Sequence, residues 1–329
     1  MTGTLAPAVS TTAQRCAQIL TEIERIIVGK RTAVTQVLLG ILASGHILIE
    51  DLPGLGKTLL ARSFATSLGL QFTRVQFTPD MLPSDLTGAP VLDPRTGDVV
   101  FRPGPVFTNL LLGDEINRTP PKTQAALLEA MGEGQVSVDG RTHQLPQPFV
   151  VLATDNPIEY EGTYPLPEAQ LDRFIARIRL GYLDEAGETE MARRRLERGS
   201  AAPQPEQILD AATLLAMRES LEQVHLDDDL LEYIVRLVAA TRSHPQITVG
   251  ASPRGTLAVI QLARGHAAID SRDYVIPEDV KALATPAVAH RITLRPEMWV
   301  RKIQGADIVE ELLRRLPVPR TTGGRGDTE

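Results

Sequence analysis

The feature that most constrains this chain is a junction. The apolar run 46–50 passes into Asp51-Leu52-Pro53-Gly54-Leu55-Gly56-Lys57-Thr58-Leu59, and a helical pattern begins there. Strand, glycine loop and helix in that order turn bare backbone N–H groups and a helix N-terminus toward one anion. Pro53, Gly54, Leu55, Gly56, Lys57, Thr58 and Leu59 are the residues expected around a nucleotide's phosphates, with Lys57 on the outer phosphates and Thr58 on Mg²⁺. The usual pattern has Gly where this chain has Asp51, a departure softened by the tolerance of Asp for left-handed backbone.

Short apolar runs at 46–50, 72–77, 109–113, 149–154 and 175–180 alternate with helical stretches. Five buried strands in such alternation predict a parallel sheet covered on both faces, an α/β fold. Two helices should precede the first strand across 12–44, divided at Gly29, after a loose segment 1–11. Thr96-Gly97 and Asp139-Gly140 lie between β-prone flanks and predict two inserted hairpins, at 91–101 and 136–145. Beyond residue 182 the pattern is all-helical: 206–223, 228–243, 253–270, 278–290 and 305–316. The charged stretch 185–198 reads as a first helix of that part or as a solvated hinge. The expected organisation is therefore a nucleotide-binding core at 12–182, a helical lid at 183–316 and a disordered tail at 317–329.

Leu110-Leu111-Leu112-Gly113-Asp114-Glu115 is an apolar run ending in adjacent carboxylates. Beside a phosphate loop, Asp114 is expected to hold Mg²⁺ and Glu115 to polarise the attacking water. Asn156 follows the fourth strand and is expected to donate to the γ-phosphate and orient that water, in preference to the alternative of a mere turn residue before Pro157. Arg254 follows a Ser252-Pro253 helix start, where the macrodipole disfavours a cation unless a phosphate is near. Arg173 precedes the fifth strand, at a subunit edge rather than in its own pocket, with a salt bridge to Asp172 or Glu168 as the alternative.

A net charge of −7 gives no bulk attraction to nucleic acid or an anionic membrane. The single cysteine, Cys16, excludes an intramolecular disulfide and a thiolate metal cluster. His46, His143, His225, His244, His266 and His290 show no metal-ligand spacing to another His or Cys. With no secretory signal and no apolar run long enough to span a bilayer, a soluble cytoplasmic protein is expected.

GLGKT, LLLGDEINR, ATDNP, LPEAQLDRF and GASPRGT, in this order across residues 25–300, resemble the MoxR family of AAA+ ATPases. The resemblance implies a P-loop NTPase with a five-stranded αβα core, the two hairpins directed toward a ring's pore, and a helical lid. Lys57 and Thr58 would then be Walker A, Asp114 and Glu115 Walker B, Asn156 sensor 1, Arg254 sensor 2 and Arg173 a trans-acting arginine finger. Val28-Gly29 resembles the segment that packs on adenine. The implied activity is Mg²⁺-dependent ATP hydrolysis by a homo-hexamer that remodels or assembles protein complexes. A von Willebrand factor A domain partner and metal-cofactor insertion are part of that implication. Two alternatives stand beside it: a DNA-associated AAA+ motor or regulator, and a nucleotide switch with little hydrolysis, for which Asp51 is the best support.

Overall fold

The computed structural model describes residues 7–157 and 162–319, so the expected loose ends at 1–6 and 320–329 lie outside them. Five strands form one sheet: His46–Glu50, Phe72–Gln76, Leu110–Asp114, Val150–Asp155 and Phe174–Ile178. All neighbours are parallel, and the order across the sheet is second, third, fourth, first, fifth in chain order. The strand that feeds the glycine loop thus lies where the chain changes direction. In open α/β sheets the crevice at the carboxyl ends of such strands is where ligands bind.

Side chains alternate between the two faces of each strand, and both faces are covered. On one, Ile47, Ile49, Leu112 and Leu152 join a core with the helices Pro7–Ile26, Arg31–Leu42 and Lys57–Ser67, a core that continues into the lid through Val259, Leu262 and Val280. On the other, Leu48, Leu111, Val151 and Phe174 meet Leu127, Leu128 and Met131 of the helix Pro121–Glu133. Burial pushes the Cys16 thiol up to about 12, so it is an inert member of the first core.

The expectation of a loose segment through residue 11 is corrected at its end. The first helix begins at Pro7, a residue suited to the first helical position, and Val9 is fully buried. Thr12 and Ser220 share a buried hydroxyl–hydroxyl bond of 2.7 Å, which ties this helix to the lid.

Both hairpins are present, as Gly88–Leu92 with Val99–Pro103 and Gln135–Val138 with Arg141–Gln144. Asp139 and Gly140 both take positive φ, as a two-residue turn matching the strand twist requires. The hairpins touch: the Phe101 ring stacks on His143 at 3.9 Å. The lid helices are Glu185–Arg198, Ala211–Ser220, Asp228–Arg242, Pro253–Ile269, Pro277–Val288, Pro296–Val300 and Gly305–Arg315. Glu185–Arg198 is a helix with no buried residue. The lid also holds a short antiparallel ribbon, Ile247–Val249 with Thr293–Leu294, which pattern reading did not foresee. No helix among the described residues is long and apolar enough to cross a membrane.

Candidate functional site

The glycine loop bends because Gly54 and Gly56 sit at φ +83° and +87°, where a side chain would be strained. Gly56 then caps the helix Lys57–Ser67, whose first turn opens on a cavity of about 420 Å³. Lys57, Thr58, Asp114, Glu115 and Asn156 line it together with Pro53, Gly54, Gly56 and Leu59. The structure therefore brings one group of expected residues to one crevice. Lys57 Nζ donates to the carbonyls of Asp51 (2.6 Å) and Leu52 (3.1 Å), and burial lowers its pKa against the opposing pull of Asp114, Asp51, Glu115 and Asp155.

Asp114 and Glu115 are fixed by three residues that the sequence reading missed. Thr154, fully buried, donates its hydroxyl to Asp114 Oδ1 at 2.7 Å and accepts the Glu115 N–H at 2.8 Å. Arg74 donates to Asp114 Oδ2 through Nη2 at 2.7 Å, and Gln76 Nε2 donates to Glu115 Oε2 at 2.7 Å. The alternation Arg74, Gln76 on the strand Phe72–Gln76 was the available signal, since polar residues two apart share a face. Glu115 adopts φ +58° and ψ +53°, a left-handed conformation that an ordinary residue keeps only when its surroundings hold it.

The donors around this cavity are oxygens: the Thr58 hydroxyl and the Asp114 carboxylate. A hard cation that keeps most of its waters suits so sparse an oxygen set, so Mg²⁺ with a nucleotide fits. Bound there, the metal would supply charge that offsets the transferring phosphoryl group. Beside the same crevice, burial first and Glu50 second push the Asp155 carboxyl up to about 6.

Val28 and Gly29 form the turn between the first two helices and are not among the cavity's lining residues. Their turn meets the 180–183 segment: Lys30 Nζ donates to the Tyr182 carbonyl at 2.7 Å, and Gly29 packs against Leu183.

Arg173 and Arg254 are elsewhere. Both line a second cavity, of about 290 Å³, with His46 and Ile175, at the amino ends of the strands. Arg254 does not line the crevice of its own chain, because the strand His46–Glu50 separates this cavity from the loop that follows Glu50. Ser252 and Pro253 do start its helix, Ser252 accepting the Arg254 N–H at 3.1 Å. Arg173 donates to the Leu128 carbonyl at 2.5 Å and makes no ion pair with Asp172, which is taken by Arg291 Nε (2.8 Å) and the Ser252 hydroxyl (2.9 Å). The Arg254 charge also acts against the ionisation of Arg291, which burial already disfavours. This edge therefore carries two arginines that form no ion pair among the described residues.

His266, Asp270 and Asp279 bring one ligand atom each within 4.8 Å of one another, a grouping that spacing to His or Cys did not reveal. Asp279 already accepts from His266 Nδ1, from both Arg272 terminal nitrogens and from the Ile276 N–H. It is a saturated anchor between lid helices.

Residues 46–176 match the model of an ATPase family associated with various cellular activities (AAA), and 239–312 match an AAA lid domain. The chain is 41% identical to Chaperone MoxR1 of Mycobacterium tuberculosis, over 91% of this chain and 81% of that one. It is 31% identical to Protein MoxR of Methylorubrum extorquens, over 91% and 93%. A crystal structure of a putative ATPase from Cytophaga hutchinsonii superposes with a TM-score of 0.88 at 39% identity, covering 95% of this chain and 97% of that one.

Proposed function

Because the chain belongs to the MoxR family of AAA+ ATPases, we propose that it hydrolyses Mg²⁺-bound ATP at sites shared between identical copies in a ring, expected to be a hexamer, and uses that work to remodel or assemble protein complexes. The observation that carries the shared site is the edge with Arg173 and Arg254, two cations that form no ion pair among the described residues and line a cavity other than that of their own phosphate loop. Head-to-tail packing would set this edge against the neighbour's crevice, where both arginines neutralise charge on the phosphoryl group. In the crevice Lys57 and Thr58 hold phosphate and metal, Asp114 holds the metal's waters, and Glu115 and Asn156 orient the attacking water.

A protein client suits the hairpins better than nucleic acid does. Leu92 and Val99 are 61% and 68% exposed on the first hairpin, whereas Arg95 is paired with Asp93. A von Willebrand factor A domain partner, a role in metal-cofactor insertion and a cytoplasmic location belong to this proposal through the family alone.

The test is complementation. Arg254→Ala and Glu115→Gln should each abolish phosphate release. Equal mixing should restore roughly a quarter of the wild-type rate, because in a head-to-tail ring one interface in four then pairs an intact Glu115 with an intact arginine. Mixed rings that stay silent, with both variants folded and assembled, would refute the shared site.

A further inference from the structure

The entrance of the phosphate loop grips the exit of the last core strand from both faces of the sheet. Glu50 and Asp51 are consecutive at the end of an extended segment, so their side chains leave on opposite sides. Glu50 accepts from Arg177 Nη1 at 3.1 Å and Arg179 Nε at 3.0 Å. Asp51, which is buried, accepts the backbone N–H groups of Leu180 (2.6 Å) and Gly181 (2.7 Å) on one oxygen, Oδ2, and that of Leu52 (3.0 Å) on the other. Gly181 lies at φ +66°, so two successive N–H groups converge as they do in concavities that capture free anions. Here the chain fills the concavity with its own carboxylate. The Gly usual at this loop position would leave both N–H groups without that partner.

The same residue is tied to the catalytic lysine, since Lys57 Nζ donates to the Asp51 carbonyl. Phosphates that draw Lys57 toward themselves therefore act on the residue whose side chain holds Leu180 and Gly181. Three residues beyond Gly181, Asp184 caps the lid helix Glu185–Arg198 by accepting the Gly187 N–H. Segment 180–183 is thus bonded to the phosphate loop at one end and continues into a lid helix at the other.

We propose that Asp51 is a positioning residue that carries the state of the phosphate loop to the lid, by making the loop and the 180–183 connector move as one body. This rests on the nucleotide-binding reading given above. It also gives a role to the one residue that departs from the usual loop pattern. Bonds to an ionised carboxylate are roughly twice as strong as neutral ones, which makes the charge, and not the shape alone, the active feature.

Amide exchange on the full chain tests this, with and without a non-hydrolysable ATP analogue, in wild type, Asp51→Ala and Asp51→Asn. In wild type the analogue should slow exchange in 178–184 and in Glu185–Arg198 by about tenfold. Asp51→Ala should still bind the analogue within about fivefold of wild type, while the lid helix no longer responds to it. Asp51→Asn keeps an oxygen acceptor without the charge and should respond in between; it also serves if the alanine variant does not fold. A purely structural role would raise exchange equally with and without nucleotide and leave the response intact, which overturns the proposal, as does a wild-type lid helix indifferent to nucleotide. A wild type that binds no analogue at all refutes the nucleotide reading itself.

Discussion

Replacing Thr154 by Val removes one hydroxyl and almost no volume. That hydroxyl serves two partners, the Asp114 carboxylate at 2.7 Å and the Glu115 N–H at 2.8 Å, and its residue is fully buried. A hydrogen bond to a charged group contributes about 1.5–3 kcal/mol, and a buried N–H left without a partner costs about 1–3 kcal/mol. Urea unfolding should therefore show Thr154→Val destabilised by about 3–5 kcal/mol, with the denaturant slope unchanged. Turnover should fall further than stability explains, because the bond also helps hold Glu115 in its left-handed backbone; a shift of about 1 Å at a reacting group can cost about a hundredfold. Phosphate release measured well below the unfolding midpoint separates the two effects. Thr154→Ser keeps the hydroxyl and loses a methyl, so it should cost about 1 kcal/mol and retain turnover within about threefold. A valine variant within about 0.5 kcal/mol of wild type, turning over normally, would refute the reasoning.

Acid should weaken the fold through His46. Its Nδ1 accepts from the Val151 N–H and its Nε2 donates to the Met131 carbonyl, an arrangement only the neutral ring can make, and burial pushes its pKa down to about 4. Stability from this group is complete above about pH 6.5 and is lost as pH falls toward 4, by about 2 kcal/mol at pH 5 and on the order of 3 at pH 4. Titration of the His46 ring by NMR reads this directly, and a midpoint at the ordinary histidine value of about 6.5 would contradict it. His266, whose pKa is raised first by its hydrogen bond to Asp279, contributes with the opposite sign, below about pH 6.5 and progressively less as pH rises through its folded value. Gly132→Ala would place a Cβ 2.0 Å from Arg173 Nη1 and drive the guanidinium off the Leu128 carbonyl. Alanine's better helix propensity, about 1 kcal/mol, offsets part of the strain, so melting should change little while phosphate release falls more than tenfold at unchanged nucleotide affinity; an active variant would show that Arg173 is not placed by this contact.

The sheet was legible because its signals are local. Four of the five strands end in a polar residue, and the observed bounds lie within two positions of those read, as with Leu110–Asp114 against 109–113. Lys57, Thr58, Asp114 and Glu115 share a crevice because strand ends on one side of a parallel sheet converge, which strand order along the chain already implies. Arg254 was harder to place. Its helix start was legible from Ser252 and Pro253, but nothing local to residues 252–254 says at which end of the sheet that helix docks; tertiary packing decides it. Thr154 passed as the last residue of an apolar strand, although its hydroxyl organises both carboxylates. Asp51 resembled a flaw in the loop when its partners, Leu180 and Gly181, are about 130 residues away in sequence. The first helix was begun too late because its small, polar opening masked the Pro7 start. The ribbon Ile247–Val249 with Thr293–Leu294 is too short to leave a periodic signature.

The stack of Phe101 on His143 joins two insertions that are separate in sequence. The first hairpin is rooted beside the helix Pro83–Thr87 and the second leaves the end of the helix Pro121–Glu133, so each has its own hinge. Phe101 pairs with Pro90 and His143 with Val136, so the stack joins the hairpins near their roots as one lever, and a force applied at Leu92 or Val99 is shared by both roots. Such a lever resists twisting better than either hairpin alone, and it gives one stroke where two loose fingers would give two unsynchronised ones.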